Sequence, residues 1–283
     1  MSYKEIKLVI SDIDGTILDD THQLDSELSS QIKGLKNRET PFVLASARSP
    51  KGIIPLAEQV GITRDPIASY NGALVLKNDP EKGYVPIFSH SLDKNEVEVL
   101  LEAIQQHFPQ ISINLYSNQN WYVEKLDKWS ESEAAITNEE PILENFSSLV
   151  RDKKTPVHKF LLMGETTEVQ QLQQFCQGLG LKNSAFYLSK ENYLEVTHQA
   201  VSKERALIEI AEYFNISLDN TMAIGDNYND MPMLTLAGLG VAMGNAPQEV
   251  KRSATIVTAA NNQNGASKAI AQYIFQETTE SFS

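Results

Sequence analysis

Two clusters of aspartates contain the residue types in this sequence that are best suited to chemistry. The first lies in SDIDGT, where Asp12 and Asp14 directly follow an apolar run. The second lies in GDNYND, where Asp226 and Asp230 also follow an apolar run. Carboxylates this close repel each other unless a cation lies between them or one keeps its proton, and hard oxygen ligands suit Mg²⁺. Two such clusters at equivalent strand ends indicate one metal site assembled between them.

Two simpler interpretations apply to a single cluster. A capped turn with solvated aspartates explains one cluster, but it does not explain two. An EF-hand calcium loop that began at Asp12 would place Ile17 at the position that requires glycine and Gln23 at the position that requires glutamate. The segment before Asp12 also has the pattern of a strand and not of a helix. The sequence therefore excludes an EF-hand loop.

Two weaker signals lie between the aspartate clusters. Lys203 stands in AVSKERAL, at the start of a predicted helix, where an exposed lysine is the simpler interpretation. Ser46 and Arg48 stand in LASARS after the second predicted strand, where a small hydroxyl residue is commonplace. Each of these two signals is weak alone. Each gains support only from its place in the order along the chain: the first aspartate cluster, Ser46 with Arg48, Lys203, and the second aspartate cluster.

Short apolar runs that alternate with helical spacing must position these residues. Residues 6–13, 41–47 and 66–76 are predicted to be strands, with helices between them. Mostly apolar strands that alternate with helices predict a parallel sheet covered on both faces. Ligands of such sheets bind beyond the carboxyl ends of the strands, which is where Asp12 is expected.

The pattern changes to an α+β segment after about residue 77 and returns to the first pattern near Tyr193. We therefore predict an α/β fold, in which a Rossmann-like doubly wound parallel-sheet core is interrupted by an inserted α+β cap domain. The core is predicted at residues 1–83 and 189–283, and the cap at residues 84–188.

Length and composition exclude several classes of protein. The chain has 283 residues, enough for about two domains, and no apolar run approaches the roughly 18 residues of a membrane span. A single cysteine, Cys176, allows no intrachain disulfide, so a reducing cytoplasm is the expected location. The net charge of −13 opposes binding to phosphate backbones. We expect a cytoplasmic protein with neither a nucleic-acid nor a membrane partner.

In this order, the four signals resemble the motifs of the haloacid dehalogenase superfamily across nearly the whole chain. The closest resemblance is to the Cof-type phosphatases, which carry a large α/β cap between the second and third motifs. It implies Asp12 as nucleophile, Asp14 as general acid and base, Lys203 as the third-motif lysine, and Asp226 and Asp230 as the fourth-motif acidic pair.

The resemblance also implies ligands for a metal and for the substrate. Mg²⁺ is expected to bind Asp12, the backbone carbonyl of Asp14, and the pair Asp226 and Asp230, of which Asp230 is also expected to fix Lys203. The residues expected to contact the substrate are Ser46, Arg48, Asn71, Gly72 and Asn229.

The sequence departs from the family pattern at uncharged positions. Ala47 and Glu204 stand where family members usually or often have glycine, and Asn264-Gly265-Ala266 replaces a common Asp-Gly-Val. These changes affect loop geometry, but every charged catalytic position is present.

The aspartate at position 14 separates the subclasses of the superfamily. Dehalogenases need no proton donor there, and the transport ATPases carry threonine and keep their aspartyl phosphate longer. We therefore predict a Mg²⁺-dependent phosphatase that hydrolyses a small phosphorylated metabolite, such as a sugar phosphate, through an aspartyl phosphate. A phosphomutase with the same intermediate and a ligand-binding protein with a dormant site are the alternatives. The sequence predicts neither the substrate nor the oligomeric state.

Overall fold

Two separate β-sheets form in the computed structural model, which describes residues 4–152 and 154–276. The chain divides into two compact units. The first unit comprises the residues up to Arg48, Ile53–Phe88, and the residues from Ser202 on. The second comprises Ser49–Gly52 and Ser89–Val201.

The sheet of the first unit has eight strands and is largely parallel. Every neighbouring pair from its first edge to the sixth strand is parallel, and the seventh strand pairs antiparallel with the sixth. This arrangement confirms the predicted α/β fold class with a parallel core sheet. In spatial order the strands are β14 (Ile256–Val257), β13 (Leu239–Ala242), β12 (Thr221–Gly225), β1 (Leu8–Ser11), β2 (Phe42–Ala45), β3 (Ile67–Ser69), β4 (Leu74–Asp79) and β5 (Gly83–Ser89).

Helices in the same chain segments bury their apolar residues against this sheet. In the helix at 203–213, Ala206, Leu207 and Ile210 recur at helical spacing and are fully buried. Ser202 begins this helix because its hydroxyl accepts a hydrogen bond from the Arg205 amide, at 3.0 Å. The helices are α1 (Leu28–Asn37), α2 (Pro50–Gln59), α7 (Lys203–Tyr213), α8 (Met231–Leu236), α9 (Gln248–Ser253) and α10 (Gly265–Ile270).

The second unit has a six-stranded, mostly antiparallel sheet. Its only parallel pair among the described residues joins the strands at 120–123 and 142–143. The strands in spatial order are β10 (Ser184–Lys190), β11 (Tyr193–His198), β9 (Lys159–Met163), β6 (Ser112–Ser117), β7 (Asn120–Val123) and β8 (Ile142–Leu143). The helices are α3 (Lys94–His107), α4 (Lys128–Thr137), α5 (Phe146–Arg151) and α6 (Thr166–Gly178).

Alternate side chains along the strands point to the same face of the sheet and build the core of the second unit. Phe160 and Leu162 on β9 and Leu194 and Val196 on β11 belong to one buried apolar cluster with residues of α3 and α6. Full burial of each such side chain stabilises the fold by roughly 1.5–3 kcal/mol.

Strand β11 lies in a different sheet from the one that the sequence suggested. The predicted core resumed at residue 189, but β11 pairs antiparallel with β9 and β10 in the second sheet. Strand β5 also differs from the prediction, because it belongs to the first sheet although the cap was predicted to begin at residue 84. An apolar run shows that a strand forms, but it does not show which sheet the strand joins.

None of the helices in the described residues combines the length and the apolar character that crossing a bilayer requires.

Candidate active site

The two aspartate clusters meet because β1 and β12 are parallel neighbours. Asp12 follows β1, and its amide donates a hydrogen bond to the carbonyl of Ile224 on β12, at 2.9 Å. Asp226 directly follows β12. Thr16 links the loops, since its hydroxyl donates to Asp226 Oδ1 at 2.7 Å across 210 residues of sequence. The structure thus places both clusters at the carboxyl edge of one sheet.

Three carboxylates come together at this edge. Asp12, Asp226 and Asp230 each offer an oxygen atom, and these atoms all lie within 4.8 Å of one another. Gly15 permits the approach, because it adopts φ +75° and a Cβ there would collide with the Asp226 carboxylate. The site can therefore gather three hard oxygen ligands in a small volume.

Lys203 lies inside this cluster. Its side chain is 1% exposed, and Nζ lies 2.6 Å from Asp12 Oδ1 and 2.6 Å from Asp230 Oδ1. Helix α7 carries the lysine at its first residue and points the ammonium into the site. The interpretation of Lys203 as an exposed lysine at a helix start is therefore wrong.

Asp230 is the most constrained of the carboxylates. Its Oδ2 accepts hydrogen bonds from the amides of Asp226 and Asn227, both at 2.9 Å, while Oδ1 faces Lys203. A Cβ at Gly225 would collide with the Asp230 side chain, so this glycine also makes room for it. Asp230 therefore holds both the loop after β12 and the ammonium of Lys203.

The electrostatics of the cluster favour an additional cation. Burial and the Asp230 charge raise the pKa of Asp12 to about 8, against the opposing effect of Lys203. Burial, with the charge of Asp230, raises the pKa of Asp226 to about 6. Burial works against the charge on Lys203, but Asp12 and Asp230 more than offset it and raise the pKa of the ammonium. One ammonium bridges two buried carboxylates, and a third, partly buried carboxylate lies beside them, so the cluster fits a divalent cation.

Asp14 is not one of the three clustered carboxylates, and its side chain pairs with Arg48. The Arg48 guanidinium donates from Nε to Asp14 Oδ2 at 2.8 Å and from its terminal nitrogen to Oδ1 at 2.5 Å. The side chains are partly exposed, 33% for Arg48 and 48% for Asp14. The family resemblance predicts Arg48 as a substrate contact, whereas the structure pairs Arg48 with Asp14.

The remaining predicted residues lie on two adjoining turns. Asn71, with φ +56°, accepts a hydrogen bond from the Asn229 side chain at 3.3 Å. The amide of Asn71 donates to the carbonyl of Ser46 at 2.8 Å. Gly72, with φ +101°, faces Ser202 and Ala206 of α7 at distances where a Cβ would be crowded. The structure brings Ser46, Asn71 and Asn229 together and gives Gly72 a packing role.

Two further residues support the site without having been predicted. Thr16 belongs to the SDIDGT string, so its hydroxyl was a detectable signal. Asn245 donates from its amide nitrogen to the carbonyl of Gly15 at 2.8 Å and accepts from the Asn261 amide at 3.0 Å. A single asparagine in a loop far along the chain carries no sequence signal of its own.

Comparison with known proteins identifies the family of this chain. The family model of haloacid dehalogenase-like hydrolases matches residues 9–270. The chain therefore belongs to the haloacid dehalogenase-like hydrolase family, as its motifs predicted.

The relatives are similar over nearly their whole lengths. A Haemophilus influenzae protein named "Putative phosphatase" is 33% identical over 260 residues, which cover 92% of this chain and 95% of that protein. The 5-amino-6-(5-phospho-D-ribitylamino)uracil phosphatase of Bacillus subtilis is 25% identical and covers 95% of this chain and 96% of its own length. A crystal structure from Thermotoga maritima has a TM-score of 0.85 at 27% identity and covers 98% of this chain and 100% of its own. The chain is thus a phosphatase-type hydrolase of the family.

Proposed function

We propose that this protein is a Mg²⁺-dependent phosphatase that hydrolyses the phosphomonoester of a small metabolite through an aspartyl phosphate on Asp12. The observation that carries the proposal is the buried ammonium of Lys203, 2.6 Å from the Asp12 carboxylate and 2.6 Å from Asp230. An ammonium at this position neutralises charge on a phosphoryl group that Asp12 attacks. The alternative interpretation, a surface turn with solvated aspartates, does not account for a buried lysine.

The first step transfers the phosphoryl group to the protein. An Asp12 carboxylate oxygen forms a bond to phosphorus, and the bond from phosphorus to the ester oxygen breaks. The departing oxygen takes a proton from Asp14 and leaves as an alcohol. Ser46 and Asn229 are proposed to orient the phosphoryl group, since their turns adjoin the site.

The second step restores the nucleophile. Water gives a proton to Asp14 as its oxygen bonds to phosphorus, the bond from Asp12 to phosphorus breaks, and inorganic phosphate leaves. The same side chain thus acts first as acid and then as base. Asp230 holds the ammonium of Lys203 throughout, so that Lys203 can pair again with the Asp12 carboxylate once phosphate has left.

A metal ion is proposed to occupy the carboxylate cluster. Asp12 and Asp226 would hold it, with the backbone carbonyl of Asp14 as the further ligand that the family resemblance implies. Asp230 is also placed to contribute, although its oxygens already bind Lys203 and two amides. When bound, Mg²⁺ supplies positive charge that offsets the repulsion between the phosphoryl oxygens and the carboxylate.

The proposed substrate class is a small phosphorylated metabolite, a sugar phosphate or a similar monoester. The Bacillus subtilis relative named above acts on such a monoester, which supports the class but does not identify the substrate of this protein. The net charge of −13 also disfavours a nucleic-acid substrate.

Release of inorganic phosphate from a panel of sugar phosphates and p-nitrophenyl phosphate tests this proposal. We expect release that requires Mg²⁺, stops with EDTA, and disappears in Asp12→Asn. The matched control is Asp79→Asn, because Asp79 caps a turn after β4 and its amide replacement can still accept the hydrogen bonds of Glu81 and Lys82. No release from any panel member would overturn the proposal, and isomer interconversion stimulated by a bisphosphate would indicate a mutase instead.

A further inference from the structure

Arg48 and Asp14 form a bidentate ion pair beside the carboxylate cluster. Two guanidinium nitrogens face the two Asp14 oxygens, at 2.8 Å and 2.5 Å. A guanidinium that binds a carboxylate through two parallel hydrogen bonds fixes the plane and the direction of the carboxylate, which a single contact cannot do. The pair therefore determines where the Asp14 side chain lies.

The backbone that carries Arg48 is held from both sides. The Arg48 amide donates to the hydroxyl of Ser46 at 3.2 Å, and the Arg48 carbonyl accepts from the amide of Tyr70 at 3.0 Å. The carbonyl of Ser46 accepts from the amide of Asn71 at 2.8 Å. The guanidinium therefore extends from a fixed turn and not from a mobile loop.

We propose that Arg48 is a positioning residue for Asp14, the general acid and base of the proposed reaction, and that its effect depends on the leaving group of the substrate. This inference rests on the proposed function. It differs from the expectation that Arg48 contacts the substrate, because the two guanidinium hydrogen bonds in the structure are both with Asp14. Arg48 acts on turnover by holding the proton-transferring carboxylate beside the ester oxygen.

The two roles for Arg48 predict different kinetics. A residue that binds the phosphoryl group affects every substrate equally, because all phosphomonoesters share that group. A residue that positions Asp14 affects alkyl phosphates more than p-nitrophenyl phosphate, because an alkoxide needs a proton as it departs and nitrophenolate does not. The ratio of kcat/KM values for the two substrates therefore separates the roles, since kcat/KM reports the steps up to phosphoryl transfer.

The test measures kcat/KM of the full-length protein with Mg²⁺ on an alkyl phosphate and on p-nitrophenyl phosphate. The variants are Arg48→Gln, Arg48→Lys, Asp14→Asn and the double variant Arg48→Gln with Asp14→Asn. We expect Arg48→Gln to lower the alkyl-to-aryl ratio by on the order of tenfold or more, and Arg48→Lys to recover part of it. Arg64→Gln, which removes an exposed arginine in the loop before β3, should leave the ratio unchanged.

The double variant decides whether Arg48 acts through Asp14. If it does, Arg48→Gln lowers the ratio in the wild-type background and changes it no further in the Asp14→Asn background. Equal losses on both substrates, or a further fall of the ratio in the double variant, would overturn the inference while the proposed function stands. Wild-type protein that hydrolyses neither substrate would overturn the proposed function, and the inference with it.

Discussion

At the scale of single residues, the site depends on two buried carboxylates that share one buried ammonium, with a third, partly buried carboxylate beside them. Asp12, Asp226 and Asp230 lie close together, and Lys203 bridges two of them. Burial of a charge is costly unless a partner offsets it. The proposed catalytic residues therefore also contribute to stability, and changes to them should alter the free energy of unfolding as well as turnover.

Replacing Lys203 with methionine should destabilise the protein strongly. The variant leaves Asp12 and Asp230 buried without their common partner, and breaking a buried pair in this way typically costs about 3–5 kcal/mol. Urea unfolding at neutral pH without metal measures the loss. Lys128→Met is a matched control, because the side chains of its ion pair with Glu165 are 69% and 62% exposed, so neither partner is left buried. A loss below about 1 kcal/mol for Lys203→Met would contradict the buried bridge.

The metal-free protein should lose stability as the pH rises from 6.5 to 8.5. The pKa of Asp12 is raised to about 8, so the folded protein keeps a proton there that the unfolded chain has already released. The free energy of unfolding then falls as the pH rises through that folded pKa. Urea unfolding in EDTA across this range measures the slope, which should be smaller in Asp12→Asn.

The pH range begins at 6.5 because His158 affects the free energy of unfolding with the opposite sign at lower pH. Burial lowers the pKa of His158 to about 4, and its Nδ1 accepts a hydrogen bond from the Asn118 amide at 3.0 Å, which requires a neutral ring. A lowered histidine pKa makes stability fall as the pH drops from about 6.5 toward 4. Metal-free stability that rises between pH 6.5 and 8.5 would contradict the shift assigned to Asp12.

At the scale of elements, two glycines make room for carboxylates of the site. Gly15 lies against Asp226, and Gly225 lies against Asp230. Gly15→Ala should reduce activity, because it forces a left-handed φ of +75° on alanine and drives its Cβ into Asp226. Strain of this kind typically costs on the order of 1–3 kcal/mol. Gly83→Ala is the matched control, since Gly83 has φ +71° but open space around its Cβ position. We expect a larger loss of thermal stability and a much larger fall in Mg²⁺-dependent turnover for Gly15→Ala, and equal turnover in both would contradict the account.

The sequence predicted elements well where their pattern was long or their ends were marked. The helical spacing of Val97, Leu101 and Ile104 indicates the helix that forms as α3, and the turn residues 118–120 between two strand-like runs indicate the hairpin of β6 and β7. Strand β8 was missed because two residues have no detectable period. Helix α4 was missed because its face toward the core is short and includes polar Ser130 and Glu133.

Side-chain pairing was the least predictable part of the site. The aspartates stand out in the sequence because paired carboxylates after apolar strands are distinctive, whereas Lys203 gains support only from the order of the motifs along the chain. The pairing of Arg48 with Asp14 was not predictable, because it depends on the placement of two loops that follow different strands. The packing role of Gly72 likewise follows from how closely α7 approaches, which no local pattern encodes.

At the scale of the whole molecule, the order of the motifs along the chain reflects the topology of the first sheet. Asp12 and Ser46 precede the second unit, and Lys203 and Asp226 follow it. Parallel pairing of β1 with β12 and with β2 returns these distant segments to one edge. The family could therefore be predicted from motif order, whereas the limits of the second unit could not.

The most direct test of the central claim is whether Asp12 becomes phosphorylated. Asp14→Asn protein is mixed with p-nitrophenyl phosphate and Mg²⁺, quenched in acid and digested, and its peptides are analysed by mass spectrometry. We predict a peptide heavier by one phosphoryl group with the modification on Asp12, because Asp14→Asn slows the water attack that removes it. Asp12→Asn with Asp14→Asn should show no modified peptide. A phosphoryl group on another residue, or phosphate release by the wild type without any modified peptide in the trapped variant, would contradict the account.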